Sequence, residues 1–280
     1  LKHIFGDVPA NAGVLEPVTF RIDEGSLLSV KAPKPVGGYT ETILRLIDVM
    51  FQAITQVAPE DAMACAYGTI NALSLAGHRA NGVRWVMFSF FGGGHGAHGT
   101  GDGLNHGNAP ISTATIPPLE ILEAAYPVRF TKWALREDSG GAGRYRGGLG
   151  AIYEIALLEA NADVFLFGER GKVAPRGIVG GGDAATNRFV YEQADGEHTP
   201  PMVSKMVGIH ITRGQKLRLE TPGGGGYGNA IDRPPEAVLA DVTLGYVSAE
   251  VESDSYGVVI AADGTLDAGA TAALRKERAA

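Results

Sequence analysis

The clearest periodicity in the chain lies at residues 39–57. Ile43, Leu46, Ile47, Met50, Phe51, Ile54 and Val57 recur at three- and four-residue steps, which predicts a helix with one apolar stripe. Pro59 ends it, and Glu41, Arg45, Asp48 and Gln52 fall on the opposite side, expected to be a solvated face. Two apolar runs follow, "INALSLAGHR" and "VRWVMFSFF". They flank Asn81-Gly82, a pair suited to a two-residue type I′ turn, so they read as a β-hairpin. A short helix is expected at 117–125, with Pro117 and Pro118 at its start and Glu120 and Glu123 in its first turns. After Pro127 the pattern turns to strands: "VRFTKWALRED", "GGLGAIYEIALLE" and "ADVFLFGER", then 188–193, 201–212 and 215–220. A further helix is expected at 234–244, "YGVVI" reads as a last strand, and 266–280 as a polar helical tail. Residues 1–37, with Pro9, Pro17, Pro33 and Pro35, read as extended and turn-rich, a chain entered partway through a fold. No repeat or linker divides the sequence. The expected class is α+β, a strand-rich mixed fold with glycine-rich loops and a few helices, forming one unit over 1–265 with a tail at 266–280.

Composition alters this picture at one point. Forty glycines in 280 residues are about twice the usual share, and they cluster at 92–103, 140–150, 177–182 and 223–228. They have no period, which excludes collagen, and the apolar segments between them exclude a disordered glycine-rich chain. Clustered glycine between strands means tight turns or backbone lying close to something else. A net charge of −7 with no basic run beyond three residues argues against a general nucleic-acid surface. The apolar runs fall short of the roughly 20 residues of a membrane helix, and "LKHIFGDVPA" lacks the features of a secretion signal. The single cysteine, Cys65, forms no internal disulfide, which fits a reducing cytoplasm. Its small apolar setting, "DAMACAYGT", suggests an inert buried thiol rather than a catalytic one.

Three stretches offer candidate chemistry. "FFGGGHGAHGTGDGLNHG", residues 90–107, places His95, His98 and His106 near Asp102. Imidazole nitrogens with a carboxylate suit Zn, Mn or Fe, which makes His95 and His98 candidate metal ligands. The alternative is a turn whose histidines face solvent or bind backbone. Gly94-His95-Gly96-Ala97-His98-Gly99 matches G-x-G-x-x-G, but a dinucleotide loop must open a helix, and "TGDGLNHGNAP" does not. "TPGGGGYG" at 221–228 lacks the Lys-Ser/Thr of a P-loop, so no nucleotide site is expected on this chain. In "REDSGGAGRYRGGLG", 136–150, Asp138 can orient a substrate and Arg144 can bind an anionic group bidentately. Equally, the two can pair to hold a strand–loop–strand connection. Ser139 is not in a nucleophile elbow. "ERGKVAPRGIVGGG", 169–182, sets Arg170, Lys172 and Arg176 beside glycines, either as an anion or partner contact or as a solvated basic loop.

Taken in order, "GGGHGAHGTGDG", "PLEILEAAYPVRF", "REDSGGAGRYRGGLG", "ERGKVAPRGIVGGG" and "LETPGGGGYGNAIDRPPEAVLADVTLGYVS" resemble the hydantoinase B / oxoprolinase family. These are the B-type subunits of ATP-dependent hydantoinases, 5-oxoprolinases, caprolactamase-like lactamases and acetone or acetophenone carboxylases. The likeness runs to about residue 260, and "DSGGAGRYRGGLG" and "TPGGGGYG" are its most specific parts. Family members are about twice as long, and their N-terminal half carries a "GGTH"-like motif expected to supply metal ligands. The resemblance therefore implies the C-terminal half of a B-type subunit.

It further implies two partners: a chain supplying the N-terminal half, and an A-type subunit with an actin-like ATPase fold that phosphorylates the substrate. ATP and Mg would then sit on the A-type partner, and a divalent metal (Zn, Mn or Fe) would be shared with another chain. The B-type subunit would receive the activated intermediate, to be hydrolysed or carboxylated. Carried over by position, Asp102, Asp138 and Arg144 are the expected catalytic residues. Gly94, Gly96, Ser139 and Gly140 are expected to bring backbone close to the substrate. His95 and His98 stand where the family usually has a different sequence. The expected function is cyclic-amide hydrolysis in the cytoplasm, with ketone carboxylation or a non-catalytic scaffolding role as alternatives, and with no nucleic-acid or membrane partner.

Overall fold

The computed structural model describes residues 5–112 and 115–278, so the outermost ends of the extended stretch 1–37 and of the tail 266–280 lie outside the described residues. Alternation of side chains builds the main body. In β1 (Ala72–His78) and β2 (Arg84–Phe90), Leu73, Leu75, Trp85 and Met87 turn inward and are buried. β5 (Asn161–Phe167) buries Ala162, Val164 and Leu166, and β8 (Lys205–Thr212) buries Ile209 and Ile211. A second set comprises β3 (Val128–Leu135), β4 (Ala151–Leu157), β6 (Arg188–Gln193), β7 (Gly196–His198) and β9 (Lys216–Glu220). Two antiparallel sheets result, ordered β2-β1-β5-β8 and β3-β4-β9-β6-β7. Their inner faces share one apolar core, in which Leu75, Met87 and Val164 meet Tyr153, Ile155, Phe189 and Leu219.

Among the described residues five α-helices accompany the sheets, which makes the α+β expectation the observed class. They are α1 (Tyr39–Ile54), α2 (Leu119–Ala125), α3 (Pro235–Thr243), α4 (Ala249–Tyr256) and α5 (Ala268–Arg278). α3 and α4 build a smaller core from Val238, Val247, Tyr256 and Val258. α5 occupies the polar tail and docks there. Arg275 donates to the carbonyls of Tyr256 and Arg233, and the Thr271 hydroxyl accepts from Val259 N at 3.0 Å.

Three expectations are corrected. The first concerns the hairpin, whose loop has three residues and not two. Arg79 N donates to Val83 O at 2.9 Å, Gly82 N donates to Arg79 O at 2.8 Å, and Gly82 alone takes a positive φ, +79°. A type I′ turn needs left-handed backbone at both central positions. Asn81 instead keeps an ordinary φ and uses its side-chain oxygen to accept from Val83 N.

The second concerns "YGVVI", which is not a strand. Tyr256 is the last residue of α4, whose N-terminus is capped by the Ser248 hydroxyl and whose C-terminus is closed by left-handed Gly257, φ +60°. That cap pair outweighs the β-preference of Val-Val-Ile.

The third is α1, which is rotated relative to its pattern. Glu41, Leu44 and Asp48 are its buried residues, while Ile43, Leu46, Val49 and Met50 are exposed. The helix lies on the loop 64–71, whose backbone needs polar partners. Glu41 accepts from Ile70 N at 2.9 Å, Arg45 donates to Gly68 O, and Gln52 donates to Cys65 Sγ at 3.1 Å. Cys65 is buried, and burial pushes its thiol pKa up, followed by the charge of Asp48.

Candidate functional site

The glycine clusters form one body. The extended segments around 92–107, 140–150, 176–182 and 222–228 pack backbone on backbone outside both sheets. Gly94 N donates to Pro222 O, Gly148 N to His95 O, Gly224 N to Gly148 O and Gly141 N to Gly224 O, all between 2.8 and 3.0 Å. A Cβ on Gly94 would stand 1.8 Å from Gly148 O, and one on Gly224 1.9 Å from His95 O. Glycine is required here because no side chain fits between the layers. Gly96, against Ala64 O, and Gly140, against Gly147 O, are in the same position. The amides of Gly94 and Gly96's neighbour Ala97 are spent inside the bundle, on Pro222 O and Gly225 O.

The other sequence-predicted residues tie this bundle to the helices. Asp102 accepts from Arg146 N at 2.7 Å and is gripped by both terminal nitrogens of Arg233, at 2.7 Å each. Arg233 is buried; it also pairs with Asp241 at 2.8 Å and donates to Arg144 O at 3.2 Å. Arg146, buried beside Asp241 at 3.4 Å, stacks on Tyr246, 5.2 Å from the ring centroid. Asp138 sits on left-handed backbone, φ +57°, and its carboxylate accepts from Ser248 N at 2.8 Å at the start of α4. Arg144 is exposed, its guanidinium 5.6 Å from the Tyr145 ring, and among the described residues it makes no ion pair with Asp138. The Ser139 hydroxyl is wholly buried, accepting from Gly150 N and donating to Arg136 O. Burial pushes the Asp102 carboxyl up. The hydrogen bond and charge of Arg233, with the Arg146 amide and charge, outweigh it and hold the pKa below the usual carboxylate value.

The histidines do not converge. His95 is engaged through Nε2 with Asn108 O, His98 through Nδ1 with Thr100 Oγ1 at 3.0 Å, and His106 through Nε2 with the buried Tyr153 hydroxyl. Burial depresses the His95 and His106 pKa values. Among the described residues no three His, Cys, Asp or Glu side chains are grouped to hold a metal ion. The described donors do not fit a metal site by themselves.

A cavity of about 370 Å³ opens elsewhere, beside α1. Arg45, Arg170, Lys172 and Lys205 line it, with one carboxylate, Glu169, among them. Lys205 pairs with Glu169, and Asp48 lies behind, bridging Arg45 at 3.0 Å and Arg170. Two lining segments carry left-handed non-glycine backbone: Arg170, φ +66°, and Val203, φ +60°, next to lining residues Met202 and Ser204. Such strain gathers at functional positions. An anionic group of substrate size finds here two lysines backed by a buried guanidinium held by Asp48. Arg170 and Lys172 were visible in "ERGKVAPRG". Arg45 and Asp48 were missed because a charged helix face normally means solvent, and Lys205 because a lone lysine at the start of a strand carries no signal.

The comparisons with known proteins agree with the motifs. The Hydantoinase B/oxoprolinase model matches residues 1–230. The chain belongs to the hydantoinase B/oxoprolinase family. It is 32% identical over 280 residues to the caprolactamase subunit beta of Pseudomonas jessenii, an alignment covering 95% of this chain and 48% of that one. It is 33% identical over 233 residues to 5-oxoprolinase 1 of Arabidopsis thaliana, covering 80% of this chain and 17% of the relative. The crystal structure of the ATP-dependent caprolactamase from Pseudomonas jessenii superposes with a TM-score of 0.83 at 29% identity, over 97% of this chain and 49% of that one. A nucleotide-free acetone carboxylase shares the fold, with a TM-score of 0.66 at 24% identity over 84% of this chain and 36% of that one. This hydantoinase B/oxoprolinase chain thus spans about half the length of the caprolactamase chains it matches. No helix among its described residues is long and apolar enough to cross a membrane.

Proposed function

We propose that this chain is part of an ATP-dependent cyclic-amide hydrolase, corresponding to the C-terminal half of a B-type subunit that works in the cytoplasm. The observation that carries the reading is the superposition of nearly the whole chain on an ATP-dependent caprolactamase at a TM-score of 0.83. ATP and its magnesium belong, on this reading, to an A-type partner that turns the amide oxygen into a phosphate ester. This chain then meets an anion. The cavity lined by Arg45, Arg170, Lys172 and Lys205 supplies the charge to bind it, with Arg170 held in place by Asp48. Asp102 and Asp138 act as positioning residues that hold the glycine-rich bundle against α3 and α4. Water activation falls to groups outside this chain, and a divalent metal used for it takes ligands from there as well.

The test is substrate-dependent phosphate release by the protein purified with its companion subunits. Caprolactam, hydantoin, 5-oxoproline and the ketone acetone are offered with ATP, with and without bicarbonate. Release that requires a lactam and all subunits supports the reading. Release that requires bicarbonate and a ketone favours a carboxylase. A kcat/KM unchanged by Lys172→Met with Lys205→Met leaves this chain as a scaffold. Turnover by this chain alone without ATP overturns the proposal.

A further inference from the structure

An antiparallel sheet with one face to water alternates apolar-in and polar-out. The outer face of the β2-β1-β5-β8 sheet departs from that rule. Its outward residues include Val86, Phe88, Phe90, Phe165, Phe167 and Val207, and all are exposed, Phe88 to 61% and Val207 to 72%. Register shapes them into a trough. Phe90 and Phe167 flank Ala72, while Phe88 and Phe165 flank Ser74, so small residues of β1 form a floor between aromatic walls. The Phe167 ring lies against Gly38, where a Cβ would meet it at 2.8 Å, so the trough leads directly to the start of α1. There the outward-turned stripe of the helix continues the apolar surface. Ile43 and Leu46, with Leu27 and Val36, line a groove of about 590 Å³.

Sheet and helix thus present apolar side chains on adjoining faces, while the helix keeps its charges inside. Surfaces of this kind mark association. The relatives indicate the occupant. Caprolactamase chains of which this chain covers 48% and 49% carry about as much polypeptide again outside the matched region. We propose that the counterpart of that other half packs on this face, setting an apolar ridge into the β1 trough and covering the stripe of α1. The inference rests on the B-type reading above and adds the surface through which the two halves join.

The test is photo-crosslinking in the assembled protein. Benzoylphenylalanine replaces Phe88 or Phe165, a change of similar shape that leaves the inward-facing core untouched, and the same residue at Leu244 serves as an exposed control. Crosslinked peptides are identified by mass spectrometry, and circular dichroism confirms that the variants fold. The expected result is crosslinking from Phe88 and Phe165 to peptides of the other half, at least about fivefold above the yield at Leu244. Crosslinks to a second copy of this chain, crosslinks to an ATPase subunit, or yields no higher than at Leu244 overturn the inference. Because the readout is independent of turnover, a crosslinked but inactive complex retains the surface and rejects the hydrolase, and an active complex without crosslinks does the reverse.

Discussion

Arg233 holds Asp102 with both ends of its guanidinium across 131 residues of sequence. The pair fastens the glycine-rich bundle to α3, because Arg233 also meets Asp241 within that helix. Removing one partner of a buried ion pair strands the others. Arg233→Met should therefore lower unfolding stability by about 3–5 kcal/mol in urea titrations. Asp102→Asn keeps an acceptor for Arg146 N and should cost less, about 1–2 kcal/mol. Equal losses from the two substitutions would mean that the second carboxylate, Asp241, does not share Arg233.

The bundle itself makes a sharper prediction. A Cβ on Gly148 would lie 2.0 Å from Leu104 O, whereas one on Gly37 would meet nothing within 4 Å. Gly148→Ala should cost more than about 4 kcal/mol or abolish soluble expression, and Gly37→Ala should stay within about 0.5 kcal/mol. Thermal unfolding of the two variants side by side decides the point.

Acid should destabilise the protein in two stages. The folded pKa values of His95 and His106 lie below their ordinary 6.5 because of burial. The unfolded chain therefore takes up their protons first, and stability is lost as pH falls from about 6.5 toward the folded values. Asp102, held below its ordinary 3.8 despite burial, contributes stability above that value and loses it as pH falls through its folded pKa. His95→Gln with His106→Gln should flatten the first stage of a Tm-against-pH curve and leave the second. An unchanged slope between pH 6.5 and 5 would remove the histidines from the account.

The cation-lined cavity predicts a split between binding and folding. Lys172 and Lys205 are at least partly exposed, so their loss should move Tm little. If the cavity receives an anionic intermediate, Lys172→Met or Lys205→Met raises KM about tenfold in the assembled enzyme, equivalent to about 1.4 kcal/mol. Arg170→Met should damage both, since it removes a cavity cation and leaves the buried Asp48 with Arg45 alone.

Strand and helix positions were largely legible because alternation and the three- and four-residue steps report local geometry. β6 falls at Arg188–Gln193, where the pattern placed it. α1 was found but its orientation was not. Periodicity identifies two faces without saying which neighbours each will meet, and Glu41, Arg45 and Asp48 turned inward to serve loop backbone. α4 was missed because "AEVESDSY" has no apolar stripe and is set by its caps. The glycine clusters announced close backbone approach, and the structure shows that the approach is of backbone to backbone. Arg233 and Asp241 carried no signal, since a buried charge network joins residues whose spacing in sequence is arbitrary.

The bundle around Gly94, Gly148 and Gly224 has a consequence for how such proteins diversify. Every single-base change that replaces glycine with another amino acid introduces a carbon where the carbonyl of another segment already stands. This part of the molecule has no neutral drift open to it, and new substrates cannot be accommodated by remodelling it. Innovation must come from residues outside the frozen layer, such as Lys172 and Lys205, whose side chains line a cavity instead of packing between backbone layers.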